Sequence, residues 1–433
     1  MIELKDDKLT FTFPEIEKQI SELLEQHILQ VLPKFQIPED RVDRLRFFKS
    51  FLRKLISKRE YCVRENNEAR LLHFAMSLTQ ADVEKAYRES AIKAAGLDNG
   101  SPARLFVEFQ RTLRIPDDGE TYPLPAGLGQ FPLRSVDDFA ETTPDSWVKR
   151  GGVLMPMYQS EALWIWFSSQ YPFAVKIATG KINAVSGEPW SPDLQQEPQN
   201  YVVTPRQPWL DGFAIGEGLI RQFVAMPLGE GYSVEEQLTG KADVGGIQIQ
   251  AYPMSAEVYF REEVVKSLPL SLKGLLPRLF SDFLEKRDDE RRYMSCPSLM
   301  RPMGLGAGGK MRQEIYHDHN PLTAWDQTQT RRCFVHLCNS MVWRQVTGTN
   351  PPNPPLTSKE YKRAGIPWFD YYRDDQKALE GSKQLAGVKS VAQLGKEKKS
   401  QPLPDNSSIT PERIVQYGNA RRPGEIREFL DTP

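Results

Sequence analysis

Cysteine is scarce in this chain: Cys62, Cys296, Cys333 and Cys338 are the only four among 433 residues. They form no pair of CxxC motifs and no regular framework, so a disulfide-stapled scaffold is excluded and a reducing, cytoplasmic setting is expected. Long apolar runs are absent too. The first nineteen residues, MIELKDDKLTFTFPEIEKQ, are charged from the fourth on and hold no apolar core of signal-peptide type. No stretch approaches the roughly 18–20 apolar residues that cross a bilayer, and the chain reads as soluble. An excess of one charge sign is also missing, with 56 basic residues against 57 acidic ones. Without a global field, any contact with nucleic acid or an anionic membrane must come from a local patch.

Apolar residues make up 39 % of the chain, enough for a core, and 33 prolines outnumber 29 glycines. That balance favours a loop- and strand-rich middle over a continuous helical bundle. The length predicts two to four domains or sub-domains. Pattern changes divide the chain at 1–100, 101–260, 261–346 and 347–433. In the first part, Ile16, Ile20, Leu23, Leu24, Ile28 and Val31 recur at three and four, the period of one buried helical face. Val42, Leu45, Phe48, Phe51, Leu52, Leu55 and Ile56 form a second stripe. Thr79 is placed to cap a further helix and Gly96 to end it.

The second part is different in kind. Phe173, Val175 and Ile177 alternate before a turn at Thr179-Gly180, and Ile247 and Ile249 alternate with Gln248 and Gln250. Alternation of this kind predicts a strand with one wet face. Short strands joined by Gly-bearing turns, with no helical crossovers, predict a mainly antiparallel sandwich or barrel. Helix returns through Leu272, Leu275, Leu276, Leu279, Phe280, Phe283 and Leu284. RRCFVHLCNSMVWRQVTG then suits a strand or a buried helix. A Pro-rich linker, TGTNPPNPPL, an aromatic cluster, IPWFDYY, and a polar tail, mobile and wrapped on the surface, complete the chain. The fold class expected is α+β.

Two clusters carry candidate chemistry. Gly304, Gly306 and Gly309 match GxGxxG, and Gly304, Gly309 and Lys310 match GxxxxGK. A phosphate loop needs a strand before it, a hydroxyl after its lysine and a helix N-terminus facing the phosphate. Here SCPSLMRPM precedes, Met311 replaces the hydroxyl, and MRQEIYHD alternates like a strand. The stretch therefore reads as a flexible glycine loop leading into a strand. That strand would set His317 and His319 on one face, and His336 follows within twenty residues. Three of the chain's five histidines are thus a candidate zinc or non-haem iron set. Asp326 or Glu314 would complete it, Cys333 or Cys338 could add soft ligands, and Lys310 or Arg312 would hold an anionic substrate. The bland account has these histidines hydrogen-bonding at a domain edge, since no HExxH spacing is present. No GxSxG or activated cysteine marks a nucleophile, and no residue is assigned a catalytic role.

Local charge is densest between residues 41 and 59. Arg41, Arg44, Arg46, Lys49, Arg53, Lys54, Lys58 and Arg59 oppose the single acid Asp43. Such a helix can lie on a membrane or bind a partner, with Arg44, Lys49, Arg53 and Lys54 as contacts. Its full apolar stripe favours the plainer account, in which the stripe packs and the charges face water. Nucleic acid is not an expected partner. Trp164, Trp166, Trp209 and the Trp368 cluster suit core or interface anchors, or a ligand platform if exposed.

The blocks RQFVAMPLGEGYSVEEQLTGK, GGKMRQEIYHD and PWFDYY resemble a family of uncharacterised bacterial and fungal proteins, over roughly residues 105–425. The resemblance implies no activity and no site residue. Two functional readings follow. The first is an intracellular, non-catalytic binding or assembly protein built on the β-rich domain, with a protein partner or a second copy of itself. The second is a metal-dependent enzyme using His317, His319, His336 and Asp326, with a divalent metal as its cofactor. Membrane attachment through residues 41–59 is a third, weaker reading.

Overall fold

The structure is a computed structural model that describes residues 1–57, 68–100, 103–280, 303–351, 361, 368–371, 376–399, 411 and 414–417. Several sequence features lie outside the described residues: Cys62, Cys296, Lys58, Arg59, Phe283, Leu284, Tyr372, the second half of the Pro-rich linker and the side chain of Lys54. The chain divides into two compact units. One comprises Met1–Thr12, Arg104–Pro253 and Met294–Pro433; the other comprises Phe13–Ala103 and Met254–Tyr293. Among the described residues, no helix is long and apolar enough to cross a membrane.

The second unit is helical. Ile16, Ile20, Leu24 and Ile28 are the buried positions of the Pro14–Val31 helix, as their i, i+4 spacing requires. Thr79 and Asp82 close a reciprocal capping box on the Gln80–Ala94 helix, and Gly96 leaves it in the left-handed conformation at φ 72°. The Arg41–Ser57 helix buries Phe48, Phe51 and Leu52, whereas Val42, assigned to its stripe, is 62 % exposed. Val42 belongs to the first turn, where Asp40 accepts from the amides of Val42 and Asp43. Phe51 and Phe74 both pack on Phe280, with ring centres 6.0 and 5.9 Å apart.

The first unit is β-rich, and the whole chain is α+β. Residues Ile2–Lys5 and Lys8–Thr12 form a hairpin through Asp6 and Asp7, both at positive φ. Lys8–Thr12 pairs with Arg104–Thr112, then Ala162–Ser169, Leu219–Pro227 and Met303–Arg312 follow in antiparallel order. A second antiparallel run joins Phe173–Thr179, Ile247–Pro253 and Arg331–Cys338. The runs meet where Met303 pairs with Leu337. Parallel pairing enters at Val335–Val153 and Lys310–Thr121.

The segment GLGAGGK is not a flexible loop. It lies within the Met303–Arg312 strand, buried along most of its length, with its backbone paired to Leu219–Pro227. Its glycines answer to what covers them. A Cβ on Gly306 would come within 2.8 Å of Val391 and 2.9 Å of the Tyr232 carbonyl; one on Gly309 would come within 2.2 Å of the Pro116 carbonyl. Val391 and Leu394, from the Val391–Glu397 helix, pack with Ala162, Val224, Met226 and Tyr232 over this strand. Residues 376–399, expected to open a mobile tail, are thus folded onto the sheet, and Leu379 and Ser382 donate to the carbonyls of Ile315 and Ala214. RRCFVHLCNSMVWRQVTG resolves into both of its readings, a strand over Arg331–Cys338 and a helix over Ser340–Thr347. Asn339 caps that helix by accepting from Met341 and Val342.

Candidate functional site

Three strands build one polar face. Their register aligns Lys176, Gln250 and Arg332 in one row and Ala178, Gln248 and Phe334 in the next. Period-two alternation then carries His336 onto the same face as Arg332 and Phe334. The glutamines expected to be wet are buried, Gln248 at 3 % exposure and Gln250 at 6 %. They are covered because they are engaged: Gln248 accepts from Arg332 and donates to the Gly180 carbonyl, and Gln250 donates to Thr330.

Over this face opens a cleft of about 480 Å³, lined by Arg150, Lys181, Pro189, Trp190, Val244, Gln248, Arg332 and Phe334. Arg332 lies between two rings, its guanidinium carbon 4.9 Å from the centre of Trp190 and 5.9 Å from that of Phe334. Arg150 lies 5.4 Å from the centre of the same Phe334 ring. Lys176 lies 5.2 Å from Trp190 and donates to the carbonyls of Ser191 at 2.8 Å and Asp193 at 2.5 Å. Burial pushes its amine down to about 8, against the opposing influence of Asp193 and Glu188. Partial burial also lowers Arg332 from its ordinary value.

The walls are set by a buried carboxylate. Glu235, on the Val234–Thr239 helix, accepts from the Gly245 amide at 2.8 Å beside Val244. It also presses on the Thr179-Gly180-Lys181 turn, where a Cβ on Gly180 would meet Glu235 Oε2 at 2.1 Å. One side chain therefore holds both loops that carry Lys181 and Val244. Lys181 itself pairs with Asp243 at 2.7 Å. Among the described residues, neither Arg150 nor Arg332 has a carboxylate within ion-pair distance.

The candidate metal set is dispersed. His317 and His319 are neighbours, with ring centres 5.8 Å apart, on an extended run beyond the end of the strand at Arg312. Asp318, between them, is the buried member and accepts from Tyr201, Trp325 and Asn320. His336 is stacked between Trp147 and Phe334 and donates from Nε2 to the Gly151 carbonyl at 3.0 Å. Asp326 closes a turn by accepting from Thr328 and Gln329. Cys333 and Cys338 are buried thiols, and burial pushes Cys333 up to about 12. Among the described residues, no group of three or more His, Cys, Asp or Glu is arranged to hold a metal.

Lys310 is half-buried on the glycine strand opposite Arg221, and Arg312 is exposed at that strand's end. In the other unit, Arg44 donates to the Leu78 carbonyl, and Lys49 and Arg53 are exposed. Trp164 and Trp209 meet edge to face, 6.2 Å apart, as half-buried anchors. None of these residues lines the cleft. Of the cleft's own residues, sequence singled out Gln248 alone, through the IQIQ alternation.

No family model, curated protein or solved structure matches the chain.

Proposed function

We propose that the β-rich unit is a non-catalytic binding module and that the cleft over Gln248, Phe334 and Arg332 holds an anionic ligand. The observation that carries this reading is Arg332, set close to both Trp190 and Phe334 and, among the described residues, without a carboxylate partner. One Nη of Arg332 donates to Gln248, and its remaining guanidinium N–H groups are the donors left to grip an oxyanion. Binding is favoured over catalysis by the state of the nearby titratable groups. Lys176 is tied to two carbonyls, and His336 is stacked, buried and held neutral.

Calorimetric titration at low ionic strength with inorganic phosphate, sulfate and acetate tests the reading. Saturable binding of at least one of them is expected, with its loss in an Arg150→Ala/Arg332→Ala variant. A wild-type protein that binds none of the three, or a double variant that binds as wild type does, refutes it.

A further inference from the structure

We infer that the ligand of this cleft is a phosphoryl dianion, the phosphate monoester of a small molecule; the inference rests on the anion-binding reading above. Charge is the first argument. Arg150, Lys181 and Arg332 line the cleft, and Asp243 is the carboxylate that meets one of them, Lys181, at 2.7 Å. Among the described residues, two guanidiniums are left to be answered. A monoester carries about −1.5 to −2 at neutral pH and three acceptor oxygens, whereas a carboxylate or a phosphodiester brings a single charge.

The aromatic rings are already engaged with cations. Trp190 already has Lys176 and Arg332 within 5.2 and 4.9 Å of its centre, and Phe334 has Arg150, Arg332 and His336 about it. The rings therefore orient cations and are not an empty platform for a flat ligand. A planar fork held in this way suits bidentate recognition of a phosphoryl group. The side chain that could have offered the ligand an acceptor, Gln248, has its oxygen taken by Arg332. What faces the cleft is donor-rich and selects a ligand made of acceptors.

Size and the remaining wall complete the assignment. The volume of about 480 Å³ falls within the range of small-molecule sites. Pro189 and Val244 supply apolar contact for the organic part of an ester. A phosphorylated side chain of a protein offers the same headgroup, so the test must separate the two sources.

The test compares methyl phosphate, dimethyl phosphate and acetate by calorimetry at pH 8 and low salt, where methyl phosphate is a dianion. Methyl phosphate is expected to bind at least about tenfold tighter than either of the others. Arg332→Lys, which keeps the charge and removes the fork, should bring it down to the level of dimethyl phosphate. Dimethyl phosphate or acetate binding as tightly as methyl phosphate overturns the inference and leaves the anion site standing. No binding of any of the three overturns the inference, and no binding of inorganic phosphate or sulfate besides overturns the anion site as well. A preference that survives Arg332→Lys and Arg150→Ala places the phosphate elsewhere and also overturns it. A phosphoserine hexapeptide binding at least about tenfold tighter than methyl phosphate would reassign the headgroup to a phosphorylated chain and end the small-molecule assignment.

Discussion

The imidazole of His336 lies nearly flat against the indole of Trp147, with ring centres 4.6 Å apart and planes 21° from parallel. Phe334 stacks near it at 5.2 Å, and Nε2 donates to the Gly151 carbonyl. Burial, with a smaller contribution from Arg150, pushes the imidazole down to about 4, against the carbonyl's opposing pull. The unfolded chain protonates this histidine near 6.5, before the folded chain does. Its stabilising effect is therefore complete above that pH and is lost as pH falls towards 4. Denaturant titrations at pH 7 and pH 4 should show a loss of about 3 kcal/mol traceable to this residue. His336→Phe keeps a ring in the stack and should flatten that part of the pH profile. An unchanged profile in the variant would show that His336 is not the titrating group.

Asp211 is a carboxyl at 2 % exposure whose side chain accepts from the Gln313 amide at 2.7 Å. Burial, only partly offset by that hydrogen bond, pushes it up to about 8. The sign is opposite to that of His336. The unfolded chain ionises near 3.8, so stability falls as pH rises from there towards 8. Asp211→Asn should stabilise the protein by about 2 kcal/mol or more at pH 7 and have little effect at pH 4. Thermal melts of both proteins at the two pH values measure this; an equal effect at both would remove ionisation as the cause.

Gly309 lies where the Pro116 carbonyl would stand 2.2 Å from an added Cβ, with the Ile115 carbonyl at 2.9 Å. Both neighbours are backbone and cannot rotate away. Gly309→Ala should cost about 1–3 kcal/mol in chemical denaturation. Gly216→Ala is the control, since its Cβ meets only Leu219, at 3.7 Å, and should change stability by about 0.5 kcal/mol or less. Comparable losses in the two variants would mean that close cover does not explain the glycines of the Met303–Arg312 strand.

Helices were the most legible part of the sequence. The spacing of Ile16, Ile20, Leu24 and Ile28 and the Thr79–Asp82 capping box depend on residues within a turn or two of each other. Glycines 304, 306, 308 and 309 misled because their reason is remote: Tyr232, Val391 and Ile115 approach from distant parts of the chain. A run of glycines looks alike whether it is loose or tightly covered. The histidines misled for a related reason. Nearness in sequence placed His336 with His317 and His319, yet strand register sends it to the face beside Phe334 and Trp147.

Periodicity and capping within single segments were thus enough to establish an α+β chain with a helical part and a strand-rich middle, because those signals are local. The cleft was decided only when strands came into register and set Gln248 beside Phe334, with Arg332 two residues along the same face. Arg150, Lys181 and Arg332 are scattered along the sequence, and nothing in their own neighbourhoods marks them. Their chemistry comes from what they were folded against: two aromatic rings that orient a guanidinium, and a buried Glu235 that holds the walls around it.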